Sequence, residues 1–78
     1  MVEQRPLKTA EELEAECLRL FRRNVTTCEI QRIGILRMFA DGGGPNWTCG
    51  ELYPEPTLPG QRNAEEIVAS VAERWALK

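Results

Sequence analysis

Apolar positions in the first third of the chain recur at three- and four-residue spacing: Ala10, Leu13, Cys17, Leu20 and Phe21. That spacing lines them up on one face of a helix. Thr9-Ala10-Glu11-Glu12 reads as a capping box, in which the Thr9 hydroxyl accepts from the Glu12 amide and the Glu12 carboxylate accepts from the Thr9 amide. Charges follow the helix dipole, with Glu11, Glu12, Glu14 and Glu16 early and Arg19, Arg22 and Arg23 late. Asn24 is placed to close the helix in the left-handed conformation, and Val25-Thr26-Thr27 switches to β-branched chemistry. Residues 1–8 are polar, contain Pro6 and are expected to fray.

From Thr27 to Phe39 the pattern fits two templates. Ile30, Ile33 and Arg37 share a helical face, which would make the domain mostly α. The Thr-rich start, the isoleucines and the Asp41-Gly42 turn that follows favour a strand. As a strand, one face carries Glu29, Gln31, Ile33, Ile35, Arg37 and Phe39, and the other Cys28, Ile30, Arg32, Gly34, Leu36 and Met38. Gly34 in mid-strand points to a bulge or a close backbone approach. The second half is apolar on both faces.

Asp41-Gly42-Gly43-Gly44-Pro45 reads as a hairpin loop, its glycines free to take positive φ. Asn46 to Tyr53 is the returning strand, alternating Trp47, Cys49, Glu51 and Tyr53 with Asn46, Thr48, Gly50 and Leu52. Pro54, Pro56 and Pro59 predict an extended connector that turns at Pro59-Gly60. Asn63-Ala64-Glu65-Glu66 repeats the capping pattern with Asn63 as cap. The last helix then shows a stripe of Ala64, Ile67, Val68, Val71 and Trp75, with Ala69, Ala72 and Ala76 allowing close approach to its neighbour. The expected fold is α+β in the order αββα, one domain over residues 1–78, with an antiparallel β-hairpin packed on two helices. Its expected core is Leu13, Leu20, Phe21, Ile33, Ile35, Trp47, Val68, Val71 and Trp75.

Composition narrows the function classes. The net charge is -2 and 42% of residues are hydrophobic, which argues against disorder. No apolar run approaches the roughly 18 residues of a membrane span, and the first residues lack the apolar core of a secretory signal. A cytoplasmic chain without membrane partners follows. Two Asn-x-Thr triplets, at Asn24 and Asn46, are then without consequence. The chain has three cysteines and no histidine, which leaves no Cys-His or Ser-His pair for nucleophilic catalysis and no C-x-x-C for zinc. Cys17, Cys28 and Cys49 read as small apolar residues in a reducing compartment. No cofactor or metal is expected and no catalytic residue is assigned. Asp41, Glu51 and Glu55 read as surface charges rather than paired catalytic carboxylates.

Other motifs read as structure. The triple glycine leads into Pro45 and a strand, whereas a phosphate loop would lead into a helix. Pro56-Thr57-Leu58-Pro59 matches the minimal PxxP ligand pattern, but a stiff connector explains the prolines without a partner. Arg19, Arg22, Arg23, Arg32 and Arg37 outnumber the one acidic residue of their stretch, Glu29, and could form a nucleic-acid-binding patch.

The run from Asn46 to Pro56 (NWTCGELYPEP), with Asp41-Gly42 before it and Glu65-Glu66 opening a helix after it, resembles small uncharacterised bacterial proteins. Those have a turn, an N-W-x-x-G strand, a proline-containing connector and a final amphipathic helix. The resemblance covers the C-terminal half. It implies the αββα order and a bacterial, cytoplasmic origin, and carries over no activity and no site residue. The reading is therefore a non-catalytic protein-interaction module, the alternative being a nucleic-acid-binding accessory protein that uses the five arginines. A homodimer is expected, because two helices cover only one face of a hairpin. The outer face, with Leu36 and Met38, would then stack on a second copy, or the hairpin edges would pair.

Overall fold

A computed structural model of the chain describes residues 5–39 and 44–78. In chain order the elements are β1 (Leu7–Lys8), α1 (Ala10–Phe21), β2 (Arg32–Arg37), β3 (Trp47–Tyr53), α2 (Leu58–Arg74) and β4 (Ala76–Leu77). β2 and β3 form the antiparallel hairpin, and β1 and β4 form a separate two-stranded parallel pair. The mixed α+β class and the αββα order of the larger elements agree with the sequence pattern. The two-residue β1 and β4 carry no period by which a sequence reading finds them.

Local chemistry sets the helix starts. Thr9 caps α1 in the anticipated box: its hydroxyl accepts from the Glu12 amide at 3.2 Å, and Glu12 accepts from the Thr9 amide at 2.9 Å. The hydrogen bond from the Thr9 main chain, helped by its hydroxyl, holds the Glu12 carboxyl below its usual range. α2 starts six residues earlier than the Asn63 cap expected for it. Thr57 is the cap, accepting from the Gly60 amide at 3.3 Å, and Pro59 sits in the first turn, where a helix tolerates it. Pro59-Gly60 is thus the first turn of a helix and not a reversal. Asn63 lies inside the helix and donates across to the Thr26 hydroxyl at 2.7 Å.

The segment after α1 also departs from the pattern. No non-glycine residue has positive φ among the described residues, so Asn24 does not close the helix in the left-handed form. Its side-chain oxygen instead accepts from the Thr26 amide at 2.9 Å and hydroxyl at 2.7 Å, folding residues 24–26 into a local turn. Thr27 is fully buried and its hydroxyl donates to the Phe21 carbonyl at 2.7 Å. These bonds keep residues 25–29 in turns, so the strand expected from Thr27 begins only at Arg32 and ends at Arg37. Ile30, expected on the outer face, is buried for the same reason.

The hairpin contains a register shift. Ile33 pairs with Leu52 but Ile35 pairs with Cys49, so two residues of β3, Gly50 and Glu51, face Gly34 alone. The irregularity expected at Gly34 is there, with the extra residue on the partner strand. It breaks strict alternation in β3. Leu52 joins Trp47 and Cys49 against the core, while Glu51 and Tyr53 leave the face assigned to them and are exposed.

The core is Leu13, Cys17 and Phe21 from α1, Ile30 and Ile33, Trp47 from β3, Ala64, Val68, Val71 and Ala72 from α2, and Leu77 from β4. Leu20, Ile35 and Trp75, expected to be fully buried, pack on it and are half-buried. Ala10 and Ala69 are exposed.

The C-terminal stretch is anchored on the start of β3. The Asn46 side chain donates to the Leu77 carbonyl at 3.0 Å and accepts from the Leu77 amide at 2.8 Å, as a strand neighbour would. The Trp47 indole donates to the Trp75 carbonyl at 2.9 Å. The stretch expected to fray is tied down from Arg5 on. Pro6 and Lys8 carbonyls accept from Ala76 and Lys78, and the Arg5 guanidinium donates to the Glu73 carbonyl at 2.8 Å.

Two stability measurements check this packing. Trp47 is 1% exposed, and Trp47→Ala is expected to cost about 3–5 kcal/mol in urea unfolding, through lost burial and a cavity. In Gly60, a Cβ would stand 2.5 Å from the Thr26 carbonyl oxygen. Gly60→Ala is therefore expected to destabilise by about 1–3 kcal/mol despite its better helix propensity. A stabilised Gly60→Ala would show that α2 does not approach Thr26 this closely.

Candidate functional site

Two surfaces of the hairpin stand out. The first is its outer face, turned away from both helices. Leu36 projects there and lies over Gly50, where an added Cβ would come within 3.1 Å of the Leu36 side chain. Leu36, Met38 and Phe39 are 53%, 40% and 101% exposed, and Tyr53 at the other end of the hairpin is 67% exposed.

The second is a groove of about 380 Å³ between β3 and α2. Consecutive β3 residues Trp47 to Gly50 line it on one side, which places it along the strand's free edge. Glu65, Val68, Ala69 and Ala72 of α2 line the other side, and Met38 and Pro45 close one end. A neighbouring depression of about 540 Å³ shares Gly50, Leu52 and Gln61 with it and adds Glu51, Tyr53 and the Pro54–Pro56 segment.

The remaining edge is guarded. The Ile33 amide, which faces away from β3, donates to the Glu14 carboxylate of α1 at 3.0 Å. An inward-reaching acid of this kind blocks strand addition at the edge of β2.

The five arginines are spread over α1, the segment after it and β2. Arg19 is paired with Glu16 at 2.9 Å, and Arg22 and Arg23 are exposed just beyond α1. Arg32 and Arg37 stand at opposite ends of β2, roughly 17 Å apart along the strand. Arg32 is in register with Tyr53, and Arg37 donates to the Lys78 main-chain oxygen at 2.7 Å.

Other candidates resolve as follows. Pro56-Thr57-Leu58-Pro59 runs into the first turn of α2 and so does not present a polyproline helix. Asp41 and most of the glycine loop lie outside the described residues. Glu51 and Glu55 line the depression beside the groove, while Cys49 lies within the groove. Burial pushes the Cys17 thiol up to about 12, and burial together with nearby Glu65 raises that of Cys49. Both are held as neutral thiols, the inert form. Among the described residues no group of three or more His, Cys, Asp or Glu side chains is arranged to hold a metal, and no helix is long and apolar enough to cross a membrane. The groove was not visible to sequence reasoning, because the bulge and the early start of α2 both shape it.

The family models, curated proteins and solved structures compared with this chain give no match.

The thiols offer a direct check of the site's geometry. Cys28 is exposed, Cys49 half-buried and Cys17 buried. A thiol reagent added to the native protein is expected to modify Cys28 first, Cys49 slowly, and Cys17 only on unfolding. Mass spectrometry of digested samples taken over time reads the order, and Cys17 reacting as fast as Cys28 would contradict the docking of α1.

Proposed function

We propose that this chain is a small non-catalytic interaction module of the bacterial cytoplasm that self-associates through the outer face of its hairpin. The observation that carries the reading is the exposure of Leu36 and Met38, with Phe39 fully exposed just beyond the end of β2. Leu36 and Met38 offer on the order of 200 Å² of mostly apolar surface, and Phe39 adds about as much again beside the strand end, against the roughly 800 Å² each partner gives to a standard interface. Both edges of the hairpin are less open to a second sheet: Glu14 occupies the edge of β2, and α2 stands beside that of β3. Face-to-face stacking of two copies is therefore favoured over edge pairing, and a twofold contact of this kind is self-complementary. The neutral Cys17 and Cys49 thiols and the absence of histidine support a role without catalysis. The alternative, a nucleic-acid-binding accessory protein, has less support. Arg19 and Arg37 already have partners, and Arg32 is remote from Arg37 along β2.

Light scattering from micromolar to millimolar concentration tests this reading. The wild-type chain is expected to move above its 8.9 kDa monomer mass, and Leu36→Lys to return it there with an unchanged circular dichroism spectrum. Leu36 is the better probe, because Met38 also lines the groove. A wild-type mass that stays monomeric throughout would falsify the self-association.

A further inference from the structure

We infer that the groove between β3 and α2 binds an extended, basic segment of a partner protein, which adds to the free edge of β3 as a third strand. The inference rests on the interaction reading but uses a different surface from the outer face. β3 pairs only with β2, so its second edge has no strand neighbour among the described residues. The Met38 amide donates to the Asn46 carbonyl at 2.8 Å, which fixes the phase of the ladder. Alternation then turns the amides and carbonyls of Trp47 and Cys49 away from β2, toward the groove. The two residues stand about 7 Å apart, the repeat with which an added strand presents its own groups. Across the shift in register, the Ile33 amide points outward to Glu14. Its register partner Leu52 therefore also faces outward and continues the row.

The walls suit one peptide chain and no more. Ala69 and Ala72 make α2 low where it faces the strand, leaving about 380 Å³. A folded sheet edge carrying its own helices would meet α2, whereas a lone extended segment would not. Charge selects the partner. Among the described residues, every charged one that lines the groove and its neighbouring depression is a carboxylate: Glu65, Glu51 and Glu55. Glu65 is close enough to act on the Cys49 thiol. Tyr53 and the proline segment add an aromatic face beside Glu51 and Glu55, on which a lysine or arginine stem can lie. Main-chain pairing would supply affinity, and the carboxylates a preference for basic side chains.

The test uses a fluorescein-labelled decapeptide of alternating lysine and valine, with the full-length chain isotopically labelled for NMR. Binding is expected to shift the amides of Trp47, Cys49 and Leu52 and to weaken with added salt. Replacing the peptide's lysines by glutamate, or introducing Glu65→Lys in the protein, is expected to weaken it by about tenfold or more. Ala69→Trp, which fills the groove from an exposed position, is expected to abolish it while leaving the circular dichroism spectrum unchanged. Equal binding of the glutamate peptide would overturn the charge selection, and so the proposal. Shifts confined to Leu36 would move the contact to the outer face, which sinks the groove but not the interaction reading. No binding by about 1 mM peptide overturns the proposal outright, while the mass measurement on Leu36→Lys stands independently.

Discussion

The structure depends on how the start of β3 holds the C-terminal stretch. A domain of this size buries little more than about 60% of its unfolded surface, so every element has to be shared between neighbours. Asn46 replaces a missing strand by bonding both main-chain groups of Leu77, and Trp47 adds its indole to the Trp75 carbonyl. With Leu77 held, its side chain enters the core and β4 accepts β1 as a parallel partner. α2 is thereby fixed at its far end, and Gly60 and Asn63 against Thr26 fix its near end. The groove beside β3 keeps its width because both ends of the helix are set. Trp75 closes the same corner, its ring under the cations of Lys8 at 4.9 Å and Arg74 at 4.6 Å.

The bulge is the second constraint. One additional residue in β3 brings Leu52 to the core and sends Tyr53 outward. The same residue leaves Glu51 on the rim of the depression. Packing and surface chemistry therefore come from one irregularity. An unbroken alternation would have placed Leu52 in solvent and Glu51 and Tyr53 over the core, with a buried carboxylate to satisfy.

Where a feature is encoded by neighbours in sequence, it was legible there. The Thr9 box, the apolar face of α1, the burial of Trp47 and the order of the four main elements all follow from spacing and side-chain chemistry. What escaped was settled between distant residues. Asn63 has the chemistry of a cap, but Thr57 is better placed once Pro59 is accepted within the first turn. Thr27 looked like strand because it is β-branched, yet its hydroxyl serves the Phe21 carbonyl and keeps the chain in turns. Leu7–Lys8 and Ala76–Leu77 are strands only because they meet. The candidate surfaces divide in the same way. The exposure of Leu36 and Met38 could be read from a strand apolar on both faces, whereas the groove needed the bulge and the true start of α2. Arg32 and Arg37 stand at opposite ends of β2, which closeness along the chain does not show.

The two surfaces impose different requirements and need not compete. Stacking on the outer face would use the side chain of Leu36 and would leave the edge of β3 untouched. Strand addition uses main-chain groups of Trp47 and Cys49, which lie at right angles to that face within the sheet. Met38 is where they meet, half-exposed beside Leu36 and also part of the groove's end. A segment bound along β3 would extend the hairpin to three strands and widen the apolar platform offered to a second copy. An isolated two-stranded hairpin is marginal, and a third strand moves it toward independent stability. Occupation of the groove would then favour association through the outer face, with Met38 as the residue common to both contacts. By thermodynamic linkage, association would in turn favour occupation.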